Sequence, residues 1–245
     1  MISLLPRLGF SLLVLLLIAK VVGVLLRGPS PMILDAAFYW ELGGLVADGD
    51  WLLMQRPVAY RTPAYPWMIG GIRLICGEPL LVLVCLQGLL WTATIGLTTA
   101  IAVQLSHDRR IAWIVVVAAV AMISSVTYVT TVLTETLFVF TLLLHFWIVA
   151  KFTRRPSVAS GILMGLTLAL AILTRPIAML VWIADALYLL TSWYGVRAPS
   201  AQVCLRRGKI GIGLAAAVSV ACVSPWLMRN QALFEKPMLT EFVGP

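Results

Sequence analysis

Five side chains in this sequence have the chemistry expected of a site that handles an anionic substrate. Two are carboxylates, Asp35 and Glu135, and three are arginines, Arg61, Arg175 and Arg229. Guanidinium groups bind phosphate through planar, forked N–H donors, and a carboxylate can take the proton from an attacking hydroxyl. Because these residues stand between long apolar runs, their combination fits a ligand with an anionic head and a hydrocarbon tail.

Each of these residues also has a purely structural interpretation. Asp35 could be a solvated loop acid or a helix N-cap, and Glu135 could serve a capping and dipole role in the first turn of a helix. Arg175 and Arg229 could anchor helices at the membrane interface by snorkelling. No single pattern decides between the two interpretations, so the functional one depends on the joint position of the residues.

The composition indicates that the elements positioning these residues are membrane helices. Of 245 residues, 61% are hydrophobic and 11% are charged, and the mean hydropathy is +1.00. Soluble domains are about 45–50% apolar and about 25% charged. The composition therefore excludes a water-soluble globular domain, a disordered chain and a secreted disulfide scaffold.

Charge and cysteine usage narrow the class of partner. The net charge of +8 is dispersed in short clusters between apolar runs, so no nucleic-acid partner is predicted. The four cysteines show no CxxC spacing and no paired histidine, which indicates neither a metal site nor a disulfide framework. No cofactor is predicted from the sequence.

The hydropathy pattern predicts an all-α integral membrane fold with about seven transmembrane helices. A span needs roughly 20 mostly apolar residues, and the candidate spans are 8–26, 80–105, 111–126, 133–150, 158–173, 177–193 and 210–228. We interpret residues 1–245 as one transmembrane domain, with an outer loop at 27–79, six further spans within 80–228 and an outer tail at 229–245. Within the loop, a helix is predicted from Asp35 to Val46. Residues 63–76 are predicted to form an interfacial helix because they are too few to span.

The distribution of charge predicts the orientation. With the N-terminus in the cytoplasm, the inner loops hold ten basic residues against one acid, and the outer loops hold seven basic residues and eight acids. Membrane proteins keep Lys and Arg on the cytoplasmic side. We therefore expect a multi-pass protein of the plasma or bacterial inner membrane, with its candidate site on the extracytoplasmic face.

Short motifs at that face resemble a known family. An Asp–Tyr pair in the first loop, R-x-P-x-Y-P, T-E-x-L-F, L-T-R-P and P-W-x-x-R-N occur in this order. The pattern is similar to bacterial relatives of the protein O-mannosyltransferases and to the lipid A aminoarabinose transferases. These are membrane glycosyltransferases of the GT-C fold, family-39-like, that use polyprenyl-phosphate sugars. The chain departs from the usual pattern at Thr62, where a proline is common, and at Ala36, where a second acid is common.

The resemblance implies a role for each site residue. Asp35 matches the catalytic base and Glu135 the second acid of the family. The substrate-binding residues would be Tyr39, Arg61, Tyr65, Arg175 and Arg229, the last two facing the lipid phosphate. The implied partners are a polyprenyl-phosphate-linked sugar, a hydroxyl acceptor on a lipid, glycan or protein, and the bilayer.

Two other functional classes stay open at this stage. Relatives of this kind carry further spans, so we expect the chain to be the N-terminal part of the family's fold. A truncated, non-catalytic membrane protein or a lipid-binding subunit is therefore an alternative. A transporter is less favoured, because no repeated halves with broken helices are evident in the sequence.

Overall fold

The computed structural model describes residues 15–16, 18–23, 26–58, 60–77, 79–122, 125–194 and 201–241, and the regular structure among them is entirely helical. From Asp35 onward, the described residues form these α-helices in chain order: α1 (Asp35–Ala47), α2 (Ala64–Ile75), α3 (Pro79–Ser106), α4 (Ile111–Ala121), α5 (Ser125–Thr130), α6 (Glu135–Arg154), α7 (Val158–Thr174), α8 (Val181–Tyr194) and α9 (Ala201–Phe234). A 3₁₀ turn, Pro176–Leu180, joins α7 to α8. The predicted all-α fold is confirmed.

Three described helices are long and apolar enough to cross a bilayer. They are α3, α6 and the Gly208–Phe234 part of α9. Three shorter apolar segments accompany them: Ile111–Ala121, Val158–Thr174 and Pro176–Leu190. Helices dominate such chains because hydrocarbon offers no partner for backbone N–H and C=O groups, which a helix pairs internally. The chain is therefore a membrane protein, and the count of seven spans stays a prediction.

The segment predicted as the first span, 8–26, lies partly outside the described residues. Positions 8–14, 17 and 24–25 are not described, whereas the described positions between 15 and 27 are all helical. We refer to the described positions from 15 to 27 as the N-terminal segment. Of the predicted outer tail, 242–245 also lie outside the described residues.

The segment predicted as the span 111–126 is divided in the structure. Helix α4 has 11 residues and ends at Ala121, and Met122 leaves the helix with φ −75° and ψ 93°. A separate six-residue helix, α5, follows. At 1.5 Å per residue α4 is about 16 Å long, roughly half the thickness of a hydrocarbon core. The break therefore leaves helix-terminal carbonyls that need another donor.

The loop before α3 folds as a helical hairpin. Helix α1 runs from Asp35 to Ala47, one residue beyond its predicted end, and α2 has 12 residues within the predicted 63–76. The two helices meet at Gly43 and Gly70. A Cβ added at Gly70 would clash with the Val46 side chain, and one added at Gly43 would clash with Ile69. This close contact fixes the direction of α1 and with it the position of Asp35.

The hairpin packs on the transmembrane helices through one apolar core. Leu42 and Val46 of α1 share a buried cluster with Leu168 of α7 and Trp226 of α9. Helices α7 and α9 approach closely because small residues face each other, and a Cβ added at Gly161 would clash with the α9 backbone. This shared cluster holds the first loop against the bundle.

A buried polar network joins three helices inside the bundle. Nε2 of His145 on α6 lies 2.8 Å from Oδ2 of Asp185 on α8, and its Nδ1 lies 3.2 Å from Oγ1 of Thr167 on α7. His145 is 0% exposed and Asp185 is 4% exposed. Each polar atom of the imidazole thus has a partner, as buried polar groups require.

Candidate functional site

Asp35 is held by Arg61 at the start of α1. Nη2 of Arg61 donates to Oδ1 of Asp35 over 2.6 Å, and 59% of the Asp35 side chain remains exposed. The carboxylate stands in the first turn of the helix, where the positive end of the helix dipole favours an anion. Asp35 is therefore oriented by protein contacts on one side and open on the other.

The guanidinium of Arg61 lies against two aromatic rings. Its guanidinium carbon lies 5.2 Å from the ring centre of Tyr39 and 5.0 Å from that of Tyr60. Stacking on aromatic faces favours a fixed guanidinium plane. The Nε atom of Arg61 is buried and has no hydrogen-bond partner among the described residues.

Glu135 and Arg175 form a second carboxylate–guanidinium pair. Nη2 of Arg175 donates to Oε1 of Glu135 over 2.6 Å, and its Nε donates to Oγ1 of Thr134 over 2.9 Å. Glu135 begins α6, and Arg175 follows the last residue of α7. The second oxygen of Glu135, Oε2, is buried and has no partner in the part of the chain that the structure describes. Among the described residues, the Glu135–Arg175 pair thus leaves a hydrogen-bond acceptor unpaired, whereas the Asp35–Arg61 pair leaves a donor unpaired.

Tyr39 links the two pairs. It is 7% exposed, and burial raises its pKa above the usual 10.0, with smaller opposing effects of Arg61 and Asp35 and then of Arg175 and Glu135. Tyr39 therefore lies near both pairs, directly beside Arg61 and close enough to the second pair to feel its charges. The structure therefore brings Asp35 and Glu135, predicted from distant segments, into one cluster, which we call the two-pair cluster: Asp35, Tyr39, Arg61, Glu135 and Arg175.

A hydrogen bond between Thr62 and Thr174 joins the segments that carry the arginines. Oγ1 of Thr62 donates to the carbonyl of Thr174 over 2.9 Å, and both residues are buried. Each threonine immediately precedes or follows an arginine of the cluster in the chain. The position that departs from the family pattern thus contributes a contact that proline could not make.

Tyr65 belongs to a network that sequence reasoning missed in part. Its hydroxyl donates to Oε1 of Gln87 over 2.8 Å, and Oε1 also accepts from Thr136 over 3.2 Å. Nε2 of Gln87 donates to the carbonyls of Val129 and Thr131. Gln87, 0% exposed, is thereby saturated and holds the chain leading to Glu135. The available signal was a lone amide within an apolar run, because intramembrane polar residues tend to be functional.

The pKa of Tyr65 is raised well above 10.0. Burial is the main cause, and the electrostatic effects of Glu135 and of the ionisable hydroxyl of Tyr39 add to it. The Tyr65 ring meets the Tyr39 ring edge to face, with 5.3 Å between centres. Both phenols are therefore neutral hydrogen-bond donors at physiological pH.

Arg229 is placed in a different environment from the two-pair cluster. Its guanidinium donates to the carbonyls of Leu52, Leu53 and Val58 and to Oδ1 of Asn230. It is 3% exposed and lies over the ring of Trp226. These described contacts tie the end of α9 to the first loop, and none of them is with Asp35 or Glu135.

An apolar cavity of about 630 Å³ reaches the two-pair cluster. Along α6 its lining runs from Glu135 to Leu143, so Glu135 lies at one end of this wall. The hydroxyls of Thr94 and Thr98 in its wall donate to carbonyls of their own helix, which leaves the wall apolar. Ligand sites typically have about 300–1,000 Å³ and few polar groups. The remaining lining comes mainly from α3 and α4.

A comparison with protein families decides the class of the chain. A family model described as dolichyl-phosphate-mannose-protein mannosyltransferase matches residues 60–228. The chain belongs to this family. The match includes four of the predicted site residues, Arg61, Tyr65, Glu135 and Arg175, whereas Asp35, Tyr39 and Arg229 lie outside it. No curated protein and no solved structure matches the chain significantly.

Membership in the mannosyltransferase family supports the predicted class of activity. The family description names a lipid-phosphate sugar donor and glycosyl transfer, in agreement with the resemblance found in the short motifs. Together with the apolar helices it identifies the chain as a member of a membrane glycosyltransferase family.

Proposed function

We propose that the chain transfers a sugar from a polyprenyl-phosphate donor to a hydroxyl acceptor at the extracytoplasmic face of the membrane. The observation that carries this proposal is the meeting of the two carboxylate–guanidinium pairs around Tyr39, with one of the carboxylates lining an apolar cavity. A charged head site next to a hydrocarbon site matches the two chemically different ends of a lipid-phosphate sugar.

The donor would bind with its hydrocarbon chain in the cavity and its phosphate near Arg61 and Arg175. Each guanidinium has five N–H donors. Arg175 uses Nε and Nη2 within the protein, and Arg61 uses Nη2 while its buried Nε is unpartnered. Both arginines thus retain donors for phosphate oxygens. Such contacts would stabilise the charge that develops on the leaving phosphate.

Asp35 would act as the general base. The acceptor oxygen attacks the anomeric carbon of the sugar, Asp35 takes the hydroxyl proton, and the bond from that carbon to the phosphate oxygen breaks. The polyprenyl phosphate departs with the bonding electron pair. Arg61 holds Oδ1 of Asp35, which would leave Oδ2 for the acceptor. One displacement without a covalent intermediate predicts inversion at the anomeric carbon.

Glu135 would orient a substrate hydroxyl rather than remove its proton. Its Oε1 is engaged by Arg175, and its buried Oε2 has no partner. A buried acceptor without a donor costs free energy in the empty site, and a sugar hydroxyl could supply that donor. Arg229, in contrast, uses its donors on loop carbonyls, so we assign it to positioning the first loop.

The proposed membrane orientation rests on charge. Ten basic residues and one acid fall on the side assigned to the cytoplasm, as expected of inner loops. This assignment puts the two-pair cluster outside the cytoplasm of a cell bounded by a plasma or inner membrane. Tagging the two ends of the chain and testing their accessibility to a membrane-impermeant reagent would check it.

The direct test is sugar transfer from a radiolabelled polyprenyl-phosphate donor in membranes that contain the chain. Asp35→Asn should lower kcat by about 10²–10⁴-fold, the usual contribution of a general base. That loss corresponds to roughly 3–5 kcal/mol in the barrier. Asp48→Asn is the matched control, because Asp48 is an exposed acid at the other end of α1.

The outcomes of this assay separate the candidate functions. Wild-type turnover in Asp35→Asn would contradict the assignment of the base. Donor binding by the wild type without transfer to any hydroxyl acceptor would favour the alternative, a non-catalytic lipid-binding subunit. Passage of the lipid or a solute across the bilayer would instead favour a transporter.

A further inference from the structure

The end of α4 forms part of the cavity wall and requires hydrogen-bond donors. Ala119 and Met122 both line the cavity, and α4 stops between them at Ala121. The last four carbonyls of an α-helix have no partner within the helix. In an apolar setting each unpaired carbonyl is costly, so the integrity of this wall depends on a donor from elsewhere.

Lys20 of the N-terminal segment supplies those donors. Its Nζ donates to the carbonyls of Ala119 at 3.0 Å, Val120 at 2.9 Å and Met122 at 2.5 Å. An ammonium group has three N–H donors, and all three are therefore used. The positive charge also lies at the negative end of the α4 helix dipole, which is the favourable arrangement.

The same ammonium contacts a second part of the cavity wall. It lies 5.3 Å from the ring centre of Trp91 on α3, and Trp91 lines the cavity. A cation at this distance from an indole face is attracted by the ring. Lys20 thus connects the N-terminal segment, the broken end of α4 and α3 around one cavity.

We propose that Lys20 is a positioning residue that holds the end of α4 against α3 and excludes water from this part of the cavity wall. It thereby sets the affinity of the cavity for the hydrocarbon chain of the donor. The inference rests on the proposed function, because the occupant of the cavity is taken from it. It excludes a role for Lys20 as the phosphate ligand, since the three donors of the ammonium are already used by carbonyls.

The test compares Lys20→Met and Lys20→Arg. Methionine keeps the length and apolar character of the side chain but removes the three N–H donors that Lys20 gives to this end of α4. We expect Lys20→Met to raise KM for a long-chain polyprenyl-phosphate sugar about tenfold, equivalent to 1.4 kcal/mol, with kcat within about twofold. A rise in KM alone marks lost ground-state binding. Lys20→Arg should restore KM to within about threefold of the wild type.

A binding assay separates this inference from the proposed function. Polyprenyl phosphate without a sugar, titrated into the full chain in nanodiscs, reports on the cavity alone. Lys20→Met should weaken its binding about tenfold, and a short-chain analogue should lose less. If the wild type binds the lipid but transfers no sugar, the proposed function fails while the effect of Lys20 is still measured.

Controls and contrary outcomes are defined by the same assay. Lys151→Met removes another lysine that lies over a tryptophan, Trp147, but that residue does not line the cavity, so lipid affinity should not change. If Lys20→Met fails to fold, Lys20→Gln, which retains two N–H donors, should show a smaller loss of affinity. The proposal would be overturned if folded Lys20→Met bound the lipid as tightly as the wild type, or if it lowered kcat at constant KM. It would also be overturned if Lys20→Arg failed to restore KM, or if the wild type bound no lipid.

Discussion

The Thr62 hydroxyl donates a 2.9 Å hydrogen bond to the Thr174 carbonyl, across 112 residues of sequence. This contact fastens the start of the α2 segment to the end of α7. Because Arg61 and Arg175 adjoin the two threonines in the chain, the bond fixes the segments from which both guanidiniums extend. In the proposed function, this side-chain-to-backbone hydrogen bond helps to set the spacing of the two cationic groups around the donor phosphate.

Replacement of Thr62 should therefore weaken donor binding. Thr62→Val removes the donor and leaves a buried carbonyl unpaired, which costs about 1–3 kcal/mol. We expect a lower unfolding temperature and a KM for the donor raised about tenfold. Thr62→Ser keeps the hydroxyl and should behave like the wild type. Equal KM values for Thr62→Val and Thr62→Ser would show that the hydrogen bond does not position the arginines.

Glu135→Gln tests the buried oxygen that has no partner. The amide preserves the shape of the side chain but removes the charge that pairs with Arg175, and one of its two terminal atoms becomes a donor. We expect kcat/KM to fall about 10–100-fold, which is roughly 1.4–2.7 kcal/mol. Glu41→Gln serves as the control, because Glu41 lies on α1 and pairs with Arg56. An equal loss in both variants would indicate a general electrostatic effect.

Gln87→Leu should destabilise the fold more than an ordinary membrane-helix substitution. Leucine leaves two backbone carbonyls and the hydroxyls of Tyr65 and Thr136 without their partner. At about 1–3 kcal/mol for each buried unsatisfied group, we expect a loss of roughly 3 kcal/mol or more. Gln104→Leu on the same helix is the control, since Gln104 is partly exposed. Unfolding in detergent would measure both, and similar midpoints would contradict the role of the network.

Arg229→Met should release the first loop without altering the chemistry directly. The substitution removes the donors to the carbonyls of Leu52, Leu53 and Val58, and each buried carbonyl left unsatisfied costs about 1–3 kcal/mol. We expect faster hydrogen exchange across residues 52–58. Lys236→Met is the control, because Lys236 pairs only with exposed Glu241 in the described contacts. A phosphate ligand would instead give a raised KM with unchanged exchange.

The raised pKa values of the two buried tyrosines predict that the folded state loses stability at high pH. Burial raises the pKa of Tyr39 and, more strongly, of Tyr65 above 10.0. A raised pKa in the folded state stabilises the fold fully below the unfolded value near 10, and this contribution is lost as the pH rises beyond it. The difference in tyrosinate absorbance between the wild type and Tyr39→Phe reports on Tyr39, and we expect this difference to titrate above pH 10. A difference that titrates at or below 10 would contradict the burial of the phenol.

The sequence by itself determined the class of this protein and indicated most of the charged residues of its candidate site. An apolar chain in hydrocarbon must satisfy its backbone internally, so helices followed from composition, and the turn residues around them marked α1 and α2 to within a few positions. Asp35, Arg61, Glu135 and Arg175 were predictable because charged residues at the ends of apolar runs are few. The family model covers Arg61, Glu135 and Arg175 within residues 60–228, and the roles assigned to these residues stay predictions.

Only the tertiary structure decided which partner each polar group has. The pairing of Arg61 with Asp35, of Arg175 with Glu135 and of Arg229 with the first loop depends on which helices lie side by side. Hydrophobic periodicity carries little information on that point in a membrane, because faces toward lipid and faces toward protein are both apolar. Gln87 and Lys20 stand in such apolar runs, and their roles follow from contacts with residues 42 to 102 positions away.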